Sequence, residues 1–460
     1  RWADRSPYAR TLYHLIAWGA FTAGIVPLVA RPVLTLAADA FDSLQLGILF
    51  GSFASVLILL IIPITLLGMV SPFAIRLAID DPAQAGRVSG RIYAISTLGS
   101  FIGTFLPVLV LIPVLGTALT FLIFSYFLYI TAFIGIWLSS GWQYALRTAW
   151  MPVVLTVLAF LLAFRPVKFS FGQIYETESA YNYIQVLEID GYRMLRLNEG
   201  QGVHSMWHPT ELDYAGPWEQ FLAAPFYNVA PYAPDQVQRM AIVGLAAGTL
   251  ARQATAVFGP LHIDGFEIDP AIIQVGRTYF DMGLPNLNAI AADGRWGLRQ
   301  SLQRYDLIGI DAYRPPYIPW HLTTMEFFQL VKDRLEPDGV LAVNVGRSPL
   351  DRRLLDGLSA TIGSVFSSVY VVDVPNTFNS LIYATSQPTQ INNLYHNYLY
   401  LSTRQDIHPL LMRSIQTAIV FQKPVALEGN IYTDDLAPIE WITNEMVLEY
   451  VFSDELETLR

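Results

Sequence analysis

Apolar residues fall into two regimes along this chain. Up to about residue 165 they come in long unbroken stretches at 11–30, 46–70, 92–114, 119–138 and 150–164, the last being the shortest. A helix of roughly 20 such residues crosses a hydrocarbon core of about 30 Å. From Tyr181 onward the period falls to two. The segments YIQVLEID and YRMLRLN alternate on either side of Asp190-Gly191, the pattern of two strands joined by a two-residue hairpin turn. After Arg239 short apolar runs alternate with amphipathic helical stretches, and the runs end at Val243, Glu267, Asp293, Asp311, Val345 and Val374. Strands alternating with helices predict a parallel, doubly wound sheet. The expected architecture is a multi-pass α-helical membrane domain (1–168, about five spans), a small β-hairpin domain with a loop region (169–235) and an α/β domain with a doubly wound Rossmann-like sheet (236–460).

Composition strengthens the first part of this picture. A hydrophobic fraction of 53% with only 14% charged residues is far from the usage of an ordinary soluble enzyme. Charge separates the halves. Residues 1–165 hold nine arginines, no lysine and five aspartates, so the excess of acid behind the net charge of −10 lies entirely beyond them. An acidic soluble half argues against a nucleic-acid partner and suits small cationic molecules. The chain has no cysteine, which excludes disulfides, thiolate metal sites and cysteine nucleophiles. It opens on Arg1 rather than Met, so more sequence is expected ahead of it.

The membrane stretches contain little chemistry. Gly99 with Gly103, and Ala20 with Gly24, are small-residue steps that let helices approach closely. His14 reads as a satisfied or interfacial histidine. With no acidic group deep in a span, transport is poorly supported. Arginines at 1, 5, 10, 76, 87, 91 and 147 place the N-terminus and alternate connections inside. Five spans would then leave residue 166 outside, which conflicts with the cytoplasmic position expected of a nucleotide-using domain.

Candidate chemistry gathers at the ends of the strands in the α/β half, where open sheets of this kind bind ligands. The segment from Arg239 to Asp269 is a strand, a glycine-spaced turn, a helix and a second strand ending on Glu267. Gly244 and Gly248 frame a loop whose backbone can approach a phosphate or nucleoside, and an acid about twenty positions on suits paired ribose hydroxyls. Close packing would also account for the small residues. Asp293-Gly294, Asp311 and Asn344 stand at three further strand ends. A helix N-cap is the competing reading of Asp293. Before the sheet, residues 200–225 form a polar, aromatic loop with Tyr214 and Trp218, too aromatic for a disordered segment.

These motifs resemble the spermidine synthase family of aminopropyltransferases, over roughly residues 170–460, and the whole chain looks like its membrane-fused bacterial branch. The membrane half matches through GMVSPFAIRLAI (68–79) and GRIYAISTLGSFIGT (90–104), and the C-terminal part through TDDLAPIEW (433–441). The resemblance implies a Rossmann-like methyltransferase sheet, a homodimer and no metal. It also implies no tightly bound cofactor; decarboxylated S-adenosylmethionine is the co-substrate and a small cationic amine the acceptor. The family's GGGDG loop matches Gly244-Leu245-Ala246-Ala247-Gly248, its ribose-binding acid Glu267, its adenine-contacting Asp-Gly Asp293-Gly294, and its catalytic DxxD segment Asp311 to Arg314. The remaining substrate positions fall at His204, Trp218, Tyr313 and Asn344. Tyr313 reads equally as an aromatic lid residue. Two departures stand out: Ala247 replaces the loop aspartate and Arg314 the second acid of DxxD. They keep open S-adenosylmethionine-dependent methyl or aminocarboxypropyl transfer, with Arg314 pairing a carboxylate. A membrane-tethered polyamine or nucleoside sensor without catalysis is the third reading.

Overall fold

The structure, a computed structural model, describes residues 8–44, 48–79, 81–162, 170–198, 202–313, 318–348 and 351–452. The chain divides into a helical unit, residues 1–170 with 178–181, and an α/β unit of residues 171–177 and 182–460.

In the helical unit four segments among the described residues are long and apolar enough to cross a membrane: Ala9–Ala30, Phe53–Ala78, Ala85–Ser140 and Trp142–Leu162. The third gathers two of the expected stretches, at 92–114 and 119–138. At 1.5 Å per residue a single straight helix of that length would far exceed a bilayer. A π-helical turn at Pro107–Leu111 and Gly116, at φ 78°, interrupt it. The Ala20 and Gly24 step is tightly packed: the Ser125 hydroxyl donates to the Ala20 carbonyl at 2.6 Å, and a Cβ on Gly24 would lie 2.5 Å from that same hydroxyl oxygen. Gly99 and Gly103 behave differently, for a Cβ on either meets no described atom within 4 Å. Their expected close packing is therefore not made within the described chain. The His14 ring is satisfied by the Arg10 carbonyl at 2.8 Å.

The α/β unit contains two sheets. Strands β1 (Gln173–Glu178), β2 (Tyr183–Ile189), β3 (Tyr192–Leu197) and β4 (Val203–Trp207) pair in sequence order. The β2–β3 turn is the one the sequence predicts. Asp190 and Gly191 both take positive φ, the geometry that matches strand twist across a two-residue loop. The second sheet contains β5 (Arg239–Val243), β6 (His262–Glu267), β7 (Leu287–Ala291), β8 (Tyr305–Ile310), β9 (Leu335–Gly346), β10 (Ser368–Asp373), β11 (Asn379–Thr385) and β12 (Gln422–Lys423). Their order is β12-β10-β11-β9-β8-β5-β6-β7.

Strands β5 to β9 are parallel, and the chain leaves β5 toward β7 on one side before returning to β8 on the other. The switch point is thus the gap between the ends of β5 and β8. The expectation of a fully parallel sheet fails at the far edge, where β10, β11 and β12 run antiparallel. The reason is local. Only residues 374–378 join β10 to β11, closed by the Val374 amide on the Asn379 carbonyl at 2.9 Å, far too short for a crossover.

Both faces of the large sheet are covered, which is why its parallel strands read as continuous apolar runs. One apolar cluster gathers Phe221, Phe226, Tyr227, Ile242 and Tyr383; the other gathers Val243, Ile310, Phe327, Phe328 and Val343. A smaller cluster joins Ile184, Val186 and Leu195 of the small sheet to Ala247, Ile272 and Phe280. The hairpin region therefore packs directly on the glycine-spaced loop.

Candidate active site at the strand switch point

Two loops meet at the switch point because their backbones are tied together. The Asp311 amide donates to the Val243 carbonyl at 2.8 Å, continuing the β5–β8 pairing one residue past the strand. Gly244 sits opposite with φ at 88°, and a Cβ there would lie 2.5 Å from the Asp311 carbonyl oxygen. Glycine is required at this point by both strain and space. Gly248, also at φ 88°, starts the helix Thr249–Phe258, and a Cβ on it would meet Met282 at 2.6 Å. Between them Ala246 takes a left-handed φ of 47°, which aims its amide at Glu267.

Glu267 is 7% exposed and accepts from the amides of Ala246 at 2.9 Å and Asp269 at 3.1 Å. Burial dominates over these bonds and pushes its carboxyl up to about 7. Asp269 in turn caps the helix Pro270–Tyr279 through the Ala271 amide and accepts from Asn182 of the small sheet. At the next strand end Asp293 caps the helix Gly294–Gln300, one oxygen accepting from the Trp296 amide at 2.9 Å. Its other oxygen lies 2.8 Å from His321 Nε2, and that hydrogen bond holds the carboxyl below its usual range. Gly294 is needed for packing, since a Cβ would strike Val243 at 2.3 Å.

Asp311 gathers the other half of the site. Asn344 Nδ2 donates to it at 2.8 Å, and the Trp218 indole N–H donates as well. Desolvation outweighs both and raises the carboxyl to about 7. Trp218 is buried, edge-on to Tyr214 with centroids 6.4 Å apart. The next residue holds that loop: the Glu219 carboxylate accepts from the Tyr214 and Gly216 amides, both at 2.9 Å, and from Gln253 Nε2 at 2.7 Å. Tyr313 lies against β9, its hydroxyl oxygen 3.2 Å from where a Gly346 Cβ would stand.

The structure therefore brings Asp311, Asn344, Trp218 and Gly244 into one contact group. Gly248, Glu267, Asp293 and Gly294 stand along the neighbouring strand ends. His204, on β4, is a half-buried ring whose buried Nε2 finds no hydrogen-bond partner among the described residues, and desolvation lowers its pKa to about 4. It is a neutral imidazole near neutral pH. Arg314 lies outside the described residues.

Sequence reasoning missed several supports. Ser205 Oγ accepts from the Ala247 amide at 2.9 Å, and Thr249 Oγ exchanges two bonds with the backbone of Met206, so β4 is pinned to the loop. His321, paired to Asp293, had no spacing signal to announce it. Ala247 is 2% exposed in the apolar cluster beneath the loop and offers no charge to a ligand.

The α/β half is similar to known proteins. Residues 227–396 match the family model of the spermine/spermidine synthase domain. The chain is 31% identical over 255 residues to the polyamine aminopropyltransferase of Vibrio vulnificus, covering 52% of this chain and 81% of that protein. It is 30% identical over 297 residues to the probable polyamine aminopropyl transferase of Bifidobacterium longum, covering 61% of this chain and 64% of that protein. The chain thus spans a little under two thirds of the Bifidobacterium protein. The crystal structure of spermidine synthase from Thermotoga maritima superposes with a TM-score of 0.44 at 19% identity, over 55% of this chain and 84% of that one.

Proposed function

This chain belongs to the spermidine synthase family of polyamine aminopropyltransferases, and from that premise we propose that it transfers an aminopropyl group from decarboxylated S-adenosylmethionine to an amine acceptor, putrescine or another polyamine. The observation that carries the reading is Asp311. It is a desolvated carboxylate at the switch point, oriented by Asn344 and Trp218, with a pKa near neutrality.

The reaction is an in-line displacement. The acceptor nitrogen attacks the propyl carbon attached to sulfonium, the C–S bond breaks, and sulfur keeps the electron pair as neutral methylthioadenosine departs. The new N–C bond leaves a positive nitrogen, and one proton must be lost overall. An alkyl amine is cationic near neutral pH, so a base is needed. Asp311 serves as anchor for the ammonium and as its proton acceptor. Glu267 takes the ribose hydroxyls, Asp293-Gly294 the adenine, and the backbone from Gly244 to Gly248 approaches the nucleoside. His204, Trp218, Tyr313 and Asn344 form the acceptor side, to which the family resemblance also assigns Arg314.

A second reading is favoured by Ala247. With an apolar, buried side chain at the family's loop-aspartate position, the loop supplies no carboxylate for the donor's ammonium end. An intact S-adenosylmethionine, with its own carboxylate, would suit such a site, and the reaction would be methyl or aminocarboxypropyl transfer. The four apolar helices among the described residues support a multi-pass anchor in a bacterial cell membrane; a cytoplasmic α/β unit follows from the nucleoside donor it would use, and a homodimer from the family resemblance.

Detergent-purified protein incubated with either donor and a panel of amines, read for methylthioadenosine and new amine products by mass spectrometry, tests both readings. Product only with the decarboxylated donor is the expected result. Product only with the intact donor replaces the first reading by the second, and binding without turnover leaves the sensor.

A further inference from the structure

The C-terminal TDDLAPIEW segment is far in sequence from every residue given a role above, yet it is tied to the nucleoside end of the site through a continuous set of short hydrogen bonds. Asp434 receives Arg295 in a two-point grip, both N–O distances being 2.7 Å. It is held from the other side by the Thr324 hydroxyl at 2.7 Å, and its amide donates to the Glu326 carboxylate at 3.0 Å. The Met325 amide on the Tyr432 carbonyl at 2.8 Å fixes the segment in place. Arg295 immediately follows Asp293-Gly294, and its second direction of donation runs to the His321 carbonyl at 3.1 Å. The His321 ring then closes the path on the free oxygen of Asp293 at 2.8 Å. Arg295 is mostly covered, with a side-chain exposure of 15%, while Asp293 keeps 33% of its side chain open to a ligand.

A planar guanidinium held at two points cannot rotate, and a carbonyl bound to it fixes the backbone that carries the histidine. The carboxylate of Asp293 is then gripped on one oxygen by a backbone amide and on the other by an imidazole, so its plane is set before any ligand arrives. We propose that Asp434, Arg295 and His321 are positioning residues that orient Asp293 to accept from the exocyclic amino group of adenine. Their combined effect is discrimination of a 6-amino from a 6-oxo purine nucleoside. This inference rests on the reading above in which Asp293 faces adenine. A 6-oxo base presents an acceptor to a fixed carboxylate, and a site built to pair a donor rejects an analogue that lacks it.

The test uses the full chain in detergent and calorimetric binding of methylthioadenosine and methylthioinosine. The unsubstituted protein is expected to prefer the adenosine by about ten-fold or more. His321→Ala and Asp434→Ala are expected to weaken methylthioadenosine about ten-fold and bring the two nucleosides close to equality. His321→Gln, which keeps an N–H donor, restores most of the preference, as does the milder Asp434→Asn should the alanine variant not fold. A folded alanine variant that keeps the preference, or that weakens both nucleosides by the same factor, overturns the relay. Unsubstituted protein that binds neither nucleoside removes the nucleoside reading and the relay with it, whereas a tight binder with no preference removes the relay alone.

Discussion

At the residue scale the proposed reading gives Asp311 and Glu267 opposite duties, and desolvation makes both costly to ionise. Asp311 must be deprotonated to accept a proton, so kcat/KM is expected to rise with pH through about 7 and then level, until other groups intervene. Asp311→Asn keeps the shape and a partner for Asn344 but removes the base. A fall in kcat of about 10²–10⁴-fold is expected, with methylthioadenosine binding little changed. Retained turnover would move the proton elsewhere. Glu267 has its folded pKa raised to about 7 from an ordinary 4.5, so the folded state binds more protons than the unfolded between those values. Stability from this group is present below about pH 4.5 and is lost as pH rises through 7. Glu267→Gln should remove up to about 3 kcal/mol of that pH dependence. Thermal melts of the ligand-free protein from pH 5 to 8 check it, and parallel slopes for variant and parent would count against the assignment. Asp293 and Asp434 are shifted the other way by hydrogen bonds, as is Asp373, where bonds to Arg352 and Ser380 and the nearby arginines outweigh desolvation, so the stability they contribute is present at neutral pH and is lost on acidification through and below the usual carboxylate range.

The strand-loop-helix unit around Gly244 is the element that converts sheet topology into a site. Its first glycine is not interchangeable with its neighbours, because positive φ and contact with the Asp311 carbonyl coincide there. Gly244→Ala should cost at least about 2 kcal/mol and abolish nucleoside binding. Gly283→Ala, where a Cβ meets nothing within 4 Å, is the control expected to melt normally. Equal melting of the two would mean the loop relaxes without loss. Periodicity made this element legible: β5, β6, β8 and β9 end where the apolar runs end, and Asp311 and Glu267 fall at the tips. The tethers around it were not legible. Ser205, Thr249 and Asn182 are ordinary polar residues until β4 and the hairpin fold back on the loop.

For the molecule as a whole, the helical unit governs how the protein must be handled. Large apolar side chains such as Phe53, Ile58, Ile64, Phe101 and Phe127 are exposed on it, too many together for a water-facing surface. The chain is expected to stay with the membrane fraction through an alkaline carbonate wash and to need detergent for release. Recovery of intact chain in the supernatant would refute insertion. The reaction chemistry assigned here lies entirely in the α/β unit, so activity should survive exchange between mild detergents that keep that unit folded.

Local pattern alone determined the two regimes of the chain, the Asp190-Gly191 hairpin and the polar residues at the strand tips, because helix and strand periodicity and turn preference are properties of neighbours in sequence. Only the tertiary structure decided that the last three strands run antiparallel, that Asp311 is desolvated beside Asn344 and Trp218, and that Asp434 reaches Asp293 through Arg295 and His321. Those features depend on crossover length, burial and contacts between residues from 28 to 139 positions apart, none of which leaves a period in the sequence.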